Sequence, residues 1–218
     1  PRLLICGFGD FPGVPENPAG LIAERLGRGG WAPEGAGAAY LILPTTWCDA
    51  FATLEERLGV ETVHGVLLVG VAVGAERFGI ETRAQNRART GLADAAGAFH
   101  PSPTIAPLGP AAARATAPVE PMVSALERAG LPAHASTDAG DYLCNYTFYR
   151  LLTEAAARPQ APLAAFLHLP PVGAFSLDDL ERGVKELAGE AVREALADAG
   201  LGAGELEAAW FSNSAWGM

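Results

Sequence analysis

The chain has 218 residues, of which half are apolar and 18% are charged, and this composition excludes a disordered protein and predicts one globular domain over residues 1–218. Fifteen Lys and Arg against 25 Asp and Glu give a net charge of −10, the wrong sign for binding nucleic acid or an anionic membrane surface. No apolar run approaches the roughly 20 residues that span a bilayer, and the first residues do not resemble a signal peptide.

Short apolar runs alternate with helical patterns in the first part of the chain. Strands are predicted at Arg2–Cys6, Ala38–Leu43 and Gly65–Val69, and helices at Asn17–Arg28 and Trp47–Leu58. Asn17 followed by Pro18 is typical of a helix N-cap and first helical residue. The alternation predicts an α/β fold, a three-layer α/β/α sandwich with a largely parallel, mixed central sheet.

The second half of the chain opens with a predicted loop excursion at about 91–118. This stretch contains five prolines and has neither helical nor strand periodicity, and a loop of such length is usually functional or mobile. After it, the pattern predicts two strands and three helices. The helices are Pro118–Ala129, one that begins near Asp141, and Asp178–Ala199, and the strands are His134–Ser136 and Ala164–Leu169.

Three widely separated cysteines argue against a disulfide framework or a zinc site. Cys144 precedes Phe148, Leu151 and Leu152 at helical spacing, which predicts that it lies in the first turn of a helix. The partial positive charge of a helix N-terminus favours the thiolate, which is the nucleophilic form of cysteine. A buried structural cysteine is the alternative, and it is the interpretation adopted for Cys6 and Cys48.

A catalytic cysteine needs a base and a group that orients the base. His168 ends an apolar strand, and the C-terminal edge of a parallel strand is where α/β proteins place reactive groups. Glu81, in the strand-like stretch Phe78–Thr82, is the candidate for the orienting group. A structural histidine and an exposed glutamate are the alternatives, and the spacing does not decide between them.

Other motifs are weak or missing. Gly7 and Gly9 begin a GxG pattern after a strand, but the third glycine is one place late for a dinucleotide fingerprint. The sequence contains no GxxxxGK[ST], GxSxG or HExxH motif. We therefore expect no cofactor and no metal.

Five segments, in order along the chain, together resemble the cysteine-type pyroglutamyl peptidase family, also called pyrrolidone-carboxylate peptidases. They are CGFGDFPGVPENPAG, LILPTTW, GVAVGAERFGIETRAQN, AGDYLCNYTFYRLL and FLHLPPV, of which the segment around Cys144-Asn145 is the most specific. The resemblance implies that Cys144 is the nucleophile, His168 the base and Glu81 the orienting carboxylate. It also implies a set of substrate-binding residues, Phe8, Phe11, Asn17, Val71, Tyr142 and Leu143.

The missing membrane span and signal-peptide pattern predict a cytoplasmic protein. The resemblance implies an exopeptidase that forms a thioester with small pyroglutamyl peptides, and a homo-oligomer is left open. Two family arginines are replaced, one by Thr82 and one near Arg89-Thr90-Gly91-Leu92, where Arg83 or Arg89 could substitute by a shifted register. Two alternatives remain. One is a non-catalytic binding relative on the same fold, and the other is a cysteine amidase for another cyclic or N-acyl amide.

Overall fold

The computed structural model describes residues 1–11, 13–158 and 161–198. The strands are β1 (Arg2–Phe8), β2 (Gly37–Leu43), β3 (Gly65–Val71), β4 (Phe78–Glu81), β5 (Arg83–Gln85), β6 (Ala112–Arg114), β7 (Ala133–Ser136) and β8 (Leu163–Leu169). The α-helices are α1 (Pro18–Arg28), α2 (Asp49–Val60), α3 (Val119–Arg128), α4 (Leu143–Glu154) and α5 (Leu177–Asp198), and a 3₁₀ turn, Ala155–Ala157, follows α4.

The central sheet of the described chain has six strands in the order β2-β1-β3-β8-β4-β7. The first four strands in this order are parallel to one another, and β4 is parallel to β7. The junction between β8 and β4 is antiparallel, with Gly79 opposite His168. The prediction of a largely parallel, mixed sheet is therefore confirmed. Strands β5 and β6 form a separate antiparallel pair.

Helices cover both faces of the sheet because successive side chains of a buried strand point to opposite faces. On β1, Leu4 and Cys6 pack in the core shared with α2 and α4, and Leu3 and Ile5 pack in the core shared with α1, α3 and α5. This arrangement confirms the three-layer α/β/α sandwich. None of the described helices is both long and apolar enough to cross a membrane.

The predicted elements are present, with differences at their ends. β1 continues to Phe8 and β3 to Val71, because Phe8 pairs with Leu43 and Val71 pairs with Leu169 of a neighbouring strand. Such pairing is not visible in a local pattern. The predicted end of the last helix, Ala199, lies outside the described residues.

The stretch expected to be loop also contains a strand. Ala112–Arg114 forms β6 by pairing with Arg83–Gln85, which is distant along the chain. Three residues are too few to show strand periodicity, so only the pairing reveals this element. A single domain over residues 1–218 stays a prediction.

Candidate active site

Cys144 is the second residue of α4, and its partly exposed side chain lies at the carboxyl end of β3. The turn before the helix contains Gly140 with a φ of +80°, a left-handed conformation that glycine adopts without strain. The first N–H groups of a helix have no acceptor within the helix. Those of Leu143, Cys144 and Asn145 are thus available to an anionic oxygen beside the sulfur.

Gly70, at the end of β3, leaves the space in which the sulfur lies. A methyl group at this position would be 2.8 Å from Sγ of Cys144 and 3.0 Å from the ring of Phe166. Real side chains do not approach so closely, so any residue larger than glycine would displace the thiol or the ring. The sequence analysis did not single out Gly70.

His168 and Glu81 form a buried pair. Nδ1 of His168 lies 2.7 Å from Oε1 of Glu81, and the two residues are only 8% and 2% exposed. Their side chains share a face because Gly79 is opposite His168 and Glu81 is two residues further along β4. The carboxylate accepts the Nδ1 proton, which leaves Nε2 for the thiol. Glu81 is therefore not the exposed glutamate of the alternative interpretation.

The environment of His168 favours its protonated form. Burial by itself lowers the pKa of His168, but the hydrogen bonds and negative charges of Cys144 and Glu81 outweigh burial and raise this pKa to about 9. A histidine that holds its proton beside a sulfur stabilises the thiolate. This is the electrostatic arrangement that a nucleophilic cysteine requires.

The other two cysteines differ from Cys144. Cys6 lies inside β1 with no exposed surface, and burial raises the pKa of its thiol well above the usual range. Cys6 therefore agrees with the interpretation as a buried structural cysteine. Cys48 does not, because it is exposed just before α2, with Sγ 3.1 Å from a carboxylate oxygen of Asp49.

A cleft of about 510 Å³ opens at the carboxyl ends of the parallel strands. All nine residues that the sequence analysis proposed for the site line this cleft, namely Cys144, His168, Glu81, Phe8, Phe11, Asn17, Val71, Tyr142 and Leu143. The cleft has an apolar wall on the side of β1. There Phe11 lies against Tyr142, with ring centroids 6.5 Å apart, and Phe8 packs against Phe166 at 6.3 Å.

Asn17 and Tyr142 are held by bonds within the protein. Oδ1 of Asn17 accepts the N–H of Ala19 as the predicted N-cap, and Nδ2 donates to the carbonyl of Gly9. The hydroxyl of Tyr142 donates to the carbonyl of Ala93. The side chains that line this wall are thus preorganised before any ligand binds.

The two arginines proposed as substitutes for the family arginines lie in different places. Arg83 is exposed, and its Nε donates to the carbonyl of Thr137 outside the cleft. Arg89 lines the cleft, and its Nε lies 2.7 Å from a carboxylate oxygen of Asp141. Only Arg89 of these two is therefore positioned to influence a ligand directly.

Asn145 has a supporting role that the sequence analysis did not assign. This fully buried side chain accepts the N–H of Gln85 and donates to the carbonyls of Gln85 and Arg87. It thereby fixes the chain after Glu81 to the first turn of α4. Its place directly after Cys144, in the most specific part of the resemblance, was the available signal.

Within residues 1–11, 13–158 and 161–198, no three His, Cys, Asp or Glu side chains are arranged to hold a metal ion.

Comparisons with known proteins agree with this geometry. A sequence model described as pyroglutamyl peptidase matches residues 1–203. The pyrrolidone-carboxylate peptidase of Mycobacterium marinum is 35% identical over 211 residues, which cover 95% of this chain and 91% of the relative. That of Mycobacterium tuberculosis H37Rv is 34% identical over 189 residues, which cover 85% of this chain and 84% of the relative.

Two solved structures have the same fold. The pyroglutamyl peptidase I of Bacillus amyloliquefaciens superposes with a TM-score of 0.82 at 27% identity, covering 87% of this chain and 94% of that chain. A mutant pyrrolidone carboxyl peptidase of the hyperthermophile Pyrococcus furiosus gives a TM-score of 0.83 at 27% identity, covering 89% of this chain and 99% of that chain.

Proposed function

We propose that Cys144, His168 and Glu81 carry out catalysis in this chain, which belongs to the pyroglutamyl peptidase family and is a cysteine peptidase. Its substrates are peptides that begin with a pyroglutamyl residue, which it removes. The observation that supports the three roles is the buried contact of 2.7 Å between His168 and Glu81, with the sulfur of Cys144 beside Gly70, the residue that pairs with His168.

The first step forms an acyl-enzyme. Nε2 of His168 takes the proton of Cys144, and the thiolate attacks the carbonyl carbon between the pyroglutamyl ring and the next residue. The carbonyl oxygen becomes an oxyanion, which accepts hydrogen bonds from the N–H groups of the first turn of α4. The imidazolium then gives its proton to the leaving amine as the C–N bond breaks, and a thioester remains.

The second step releases pyroglutamate. A water molecule gives a proton to His168 and attacks the thioester carbonyl. The C–S bond breaks, and the sulfur leaves as the thiolate beside the imidazolium. Glu81 accepts the other ring proton throughout, so it keeps the imidazole in the orientation and tautomer that both steps need.

The apolar wall explains selection of the acyl group. Pyroglutamate is compact, cyclic and uncharged, so its ring can lie between Phe8 and Phe11 without burying a charge. An N-terminal glutamate would bring a carboxylate and an ammonium group into the same space, where neither has a partner of opposite charge on this wall. Prolyl substrates lack the lactam carbonyl, and a polar partner would be left unpaired.

Turnover of pyroglutamyl-aminomethylcoumarin tests this proposal, with the prolyl and glutamyl analogues as controls. We expect turnover of the pyroglutamyl compound alone, and loss of activity in His168→Ala but not in His100→Ala. Iodoacetamide labelling of Cys144 without turnover would instead support the non-catalytic alternative. Comparable turnover of the prolyl analogue would support the broader amidase. A cytoplasmic location and self-association stay predictions.

A further inference from the structure

Four residues form a row across the sheet beneath the cleft. Gly70 of β3 pairs with His168 of β8, which is opposite Gly79 of β4, which pairs with His134 of β7. Residues in register on neighbouring strands present their side chains on the same face. His168 therefore has a glycine on each side, and the second glycine separates it from His134.

Gly79 is a gap between two histidines. A methyl group on Gly79 would lie 3.7 Å from Cβ of His168, 3.4 Å from Cε1 of His134 and 3.8 Å from Nε2 of His134. The imidazole of His134 thus overhangs the gap from the side of β7. Its Nδ1 lies 3.1 Å from the carbonyl oxygen of Phe78, which can only accept, so Nδ1 donates and Nε2 is left for a ligand.

The strand order gives a substrate its direction. β1, which carries Phe8, lies on one side of β3 and β8, whereas β4 and β7 lie on the other side. If the pyroglutamyl ring occupies the wall formed by β1, the rest of the peptide must extend from Cys144 across Gly79 towards His134. Gly79 on β4 lies two strand spacings from Gly70 of β3, beneath the sulfur, and two spacings, about 10 Å, correspond to about three residues of extended chain. His134 lies one spacing further.

Arg77 is a cation on this side of the cleft. It precedes β4, lines the cleft and is exposed, and no described residue is within ion-pair distance of its guanidinium. Asp138 lines the same side, but it is already ion-paired with Arg87. Arg77 is therefore a positive charge without an ion-pair partner among the described residues, on the side where the leaving peptide passes. It stands out in a chain whose net charge is −10.

We infer that the β4–β7 side of the cleft is a subsite for the leaving peptide that selects a carboxylate within about three residues after the pyroglutamyl residue. Arg77 binds the carboxylate, and Nε2 of His134 accepts a peptide N–H over the gap at Gly79. The preferred substrates are short acidic pyroglutamyl peptides. This inference rests on the proposed function, because it uses the cleavage position at Cys144.

Matched substrates test the carboxylate. The free acid of pyroglutamyl-alanyl-alanine is compared with its C-terminal amide, and the amide of pyroglutamyl-alanyl-glutamate shows whether a side-chain carboxylate serves as well. The wild type should have a higher kcat/KM for the two carboxylates. Arg77→Ala should lower kcat/KM for them about threefold to tenfold, mainly through KM, as is typical of a partly screened ion pair. Arg77→Lys should retain part of the preference.

Controls separate this subsite from general effects. Arg114→Ala removes another exposed arginine, on β6 outside the cleft, and should leave the preference unchanged. Turnover of pyroglutamyl-aminomethylcoumarin, whose leaving group is uncharged, should fall less in Arg77→Ala than turnover of the two carboxylate substrates. The acid-to-amide preference should also weaken as salt is added.

The outcomes distinguish failure of the subsite from failure of the proposed function. Equal kcat/KM for acid and amide, or an unchanged ratio in Arg77→Ala, overturns the subsite while the coumarin assay still supports the proposed function. An equal loss on all substrates in Arg77→Ala also overturns the subsite, because Arg77 then acts on the fold or the chemistry. Failure of the wild type on the coumarin substrate overturns the proposed function and the subsite with it.

Discussion

The interior of β1 and the first turn of α4 each hold a cysteine on the same face of the sheet, yet the two environments are opposite. Cys6 has no exposed surface and lies in an apolar core, whereas Cys144 is partly exposed and lines the cleft with His168. Burial raises the pKa of the first thiol and so favours its neutral form, whereas the second thiol lies beside an imidazole whose pKa is raised. The same side chain thus serves the core in one place and chemistry in the other.

Removing each thiol in turn is the strongest test of this comparison. Cys144→Ala should lower kcat by about 10⁵-fold or more with a nearly unchanged free energy of unfolding, because the nucleophile is lost but little packing is. Cys6→Ala should retain kcat and lose about 1 kcal/mol of stability. Measurements of kcat and of thermal unfolding on both variants test these two expectations. Full activity in Cys144→Ala would contradict the assignment.

Changing Glu81 to Gln tests how far the negative charge beside His168 makes the environment of Cys144 differ from that of Cys6. We expect kcat to fall about 10³- to 10⁴-fold, as when a triad carboxylate is neutralised. In the wild type, activity should decline as the pH rises through about 9, because the imidazolium that protonates the leaving amine is then lost. Without the Glu81 anion the pKa of His168 is lower, so the decline should come at lower pH. An unmoved pH profile would show that Glu81 does not act through His168.

Shortening Phe11 tests the apolar wall beside Cys144. Phe11→Ala should lower kcat/KM for a pyroglutamyl substrate by about ten- to two-hundred-fold, which corresponds to about 1 to 3 kcal/mol of lost binding in the transition state. Alkylation of Cys144 should proceed at the wild-type rate. Phe99→Ala removes an exposed ring outside the cleft and is the matched control. Slower alkylation in Phe11→Ala would mean that the ring supports the nucleophile instead.

Adding one methyl group at Gly70 has the smallest expected effect. The methyl would meet Sγ of Cys144 at 2.8 Å, so the sulfur must move, and kcat should fall about tenfold with little change in KM. Gly59→Ala is the matched control, since nothing lies within 4 Å of its added methyl group and alanine favours the helix. Equal kcat in Gly70→Ala and the wild type would show that the position of the sulfur tolerates this shift.

Local patterns in the sequence determined much of this protein. Apolar runs and helical spacing predicted the principal strands and helices, Asn17-Pro18 located the start of α1, and the segment around Cys144 indicated the first turn of α4. These features depend on residues within about one turn or strand of each other, and backbone preference and burial leave a periodic trace over such distances. The family resemblance then supplied candidate roles.

Only the tertiary structure decided which strands pair and which side chains come into contact. The antiparallel junction of β8 and β4 places Glu81 against His168, a contact between residues 87 positions apart. The parallel pairing of β4 with β7 places Gly79 beside His134, which no local pattern indicated. Pairing between distant strands follows from packing the whole sheet, and a sequence window cannot contain that information. The tertiary fold therefore decided that Glu81 is buried against His168 and not exposed.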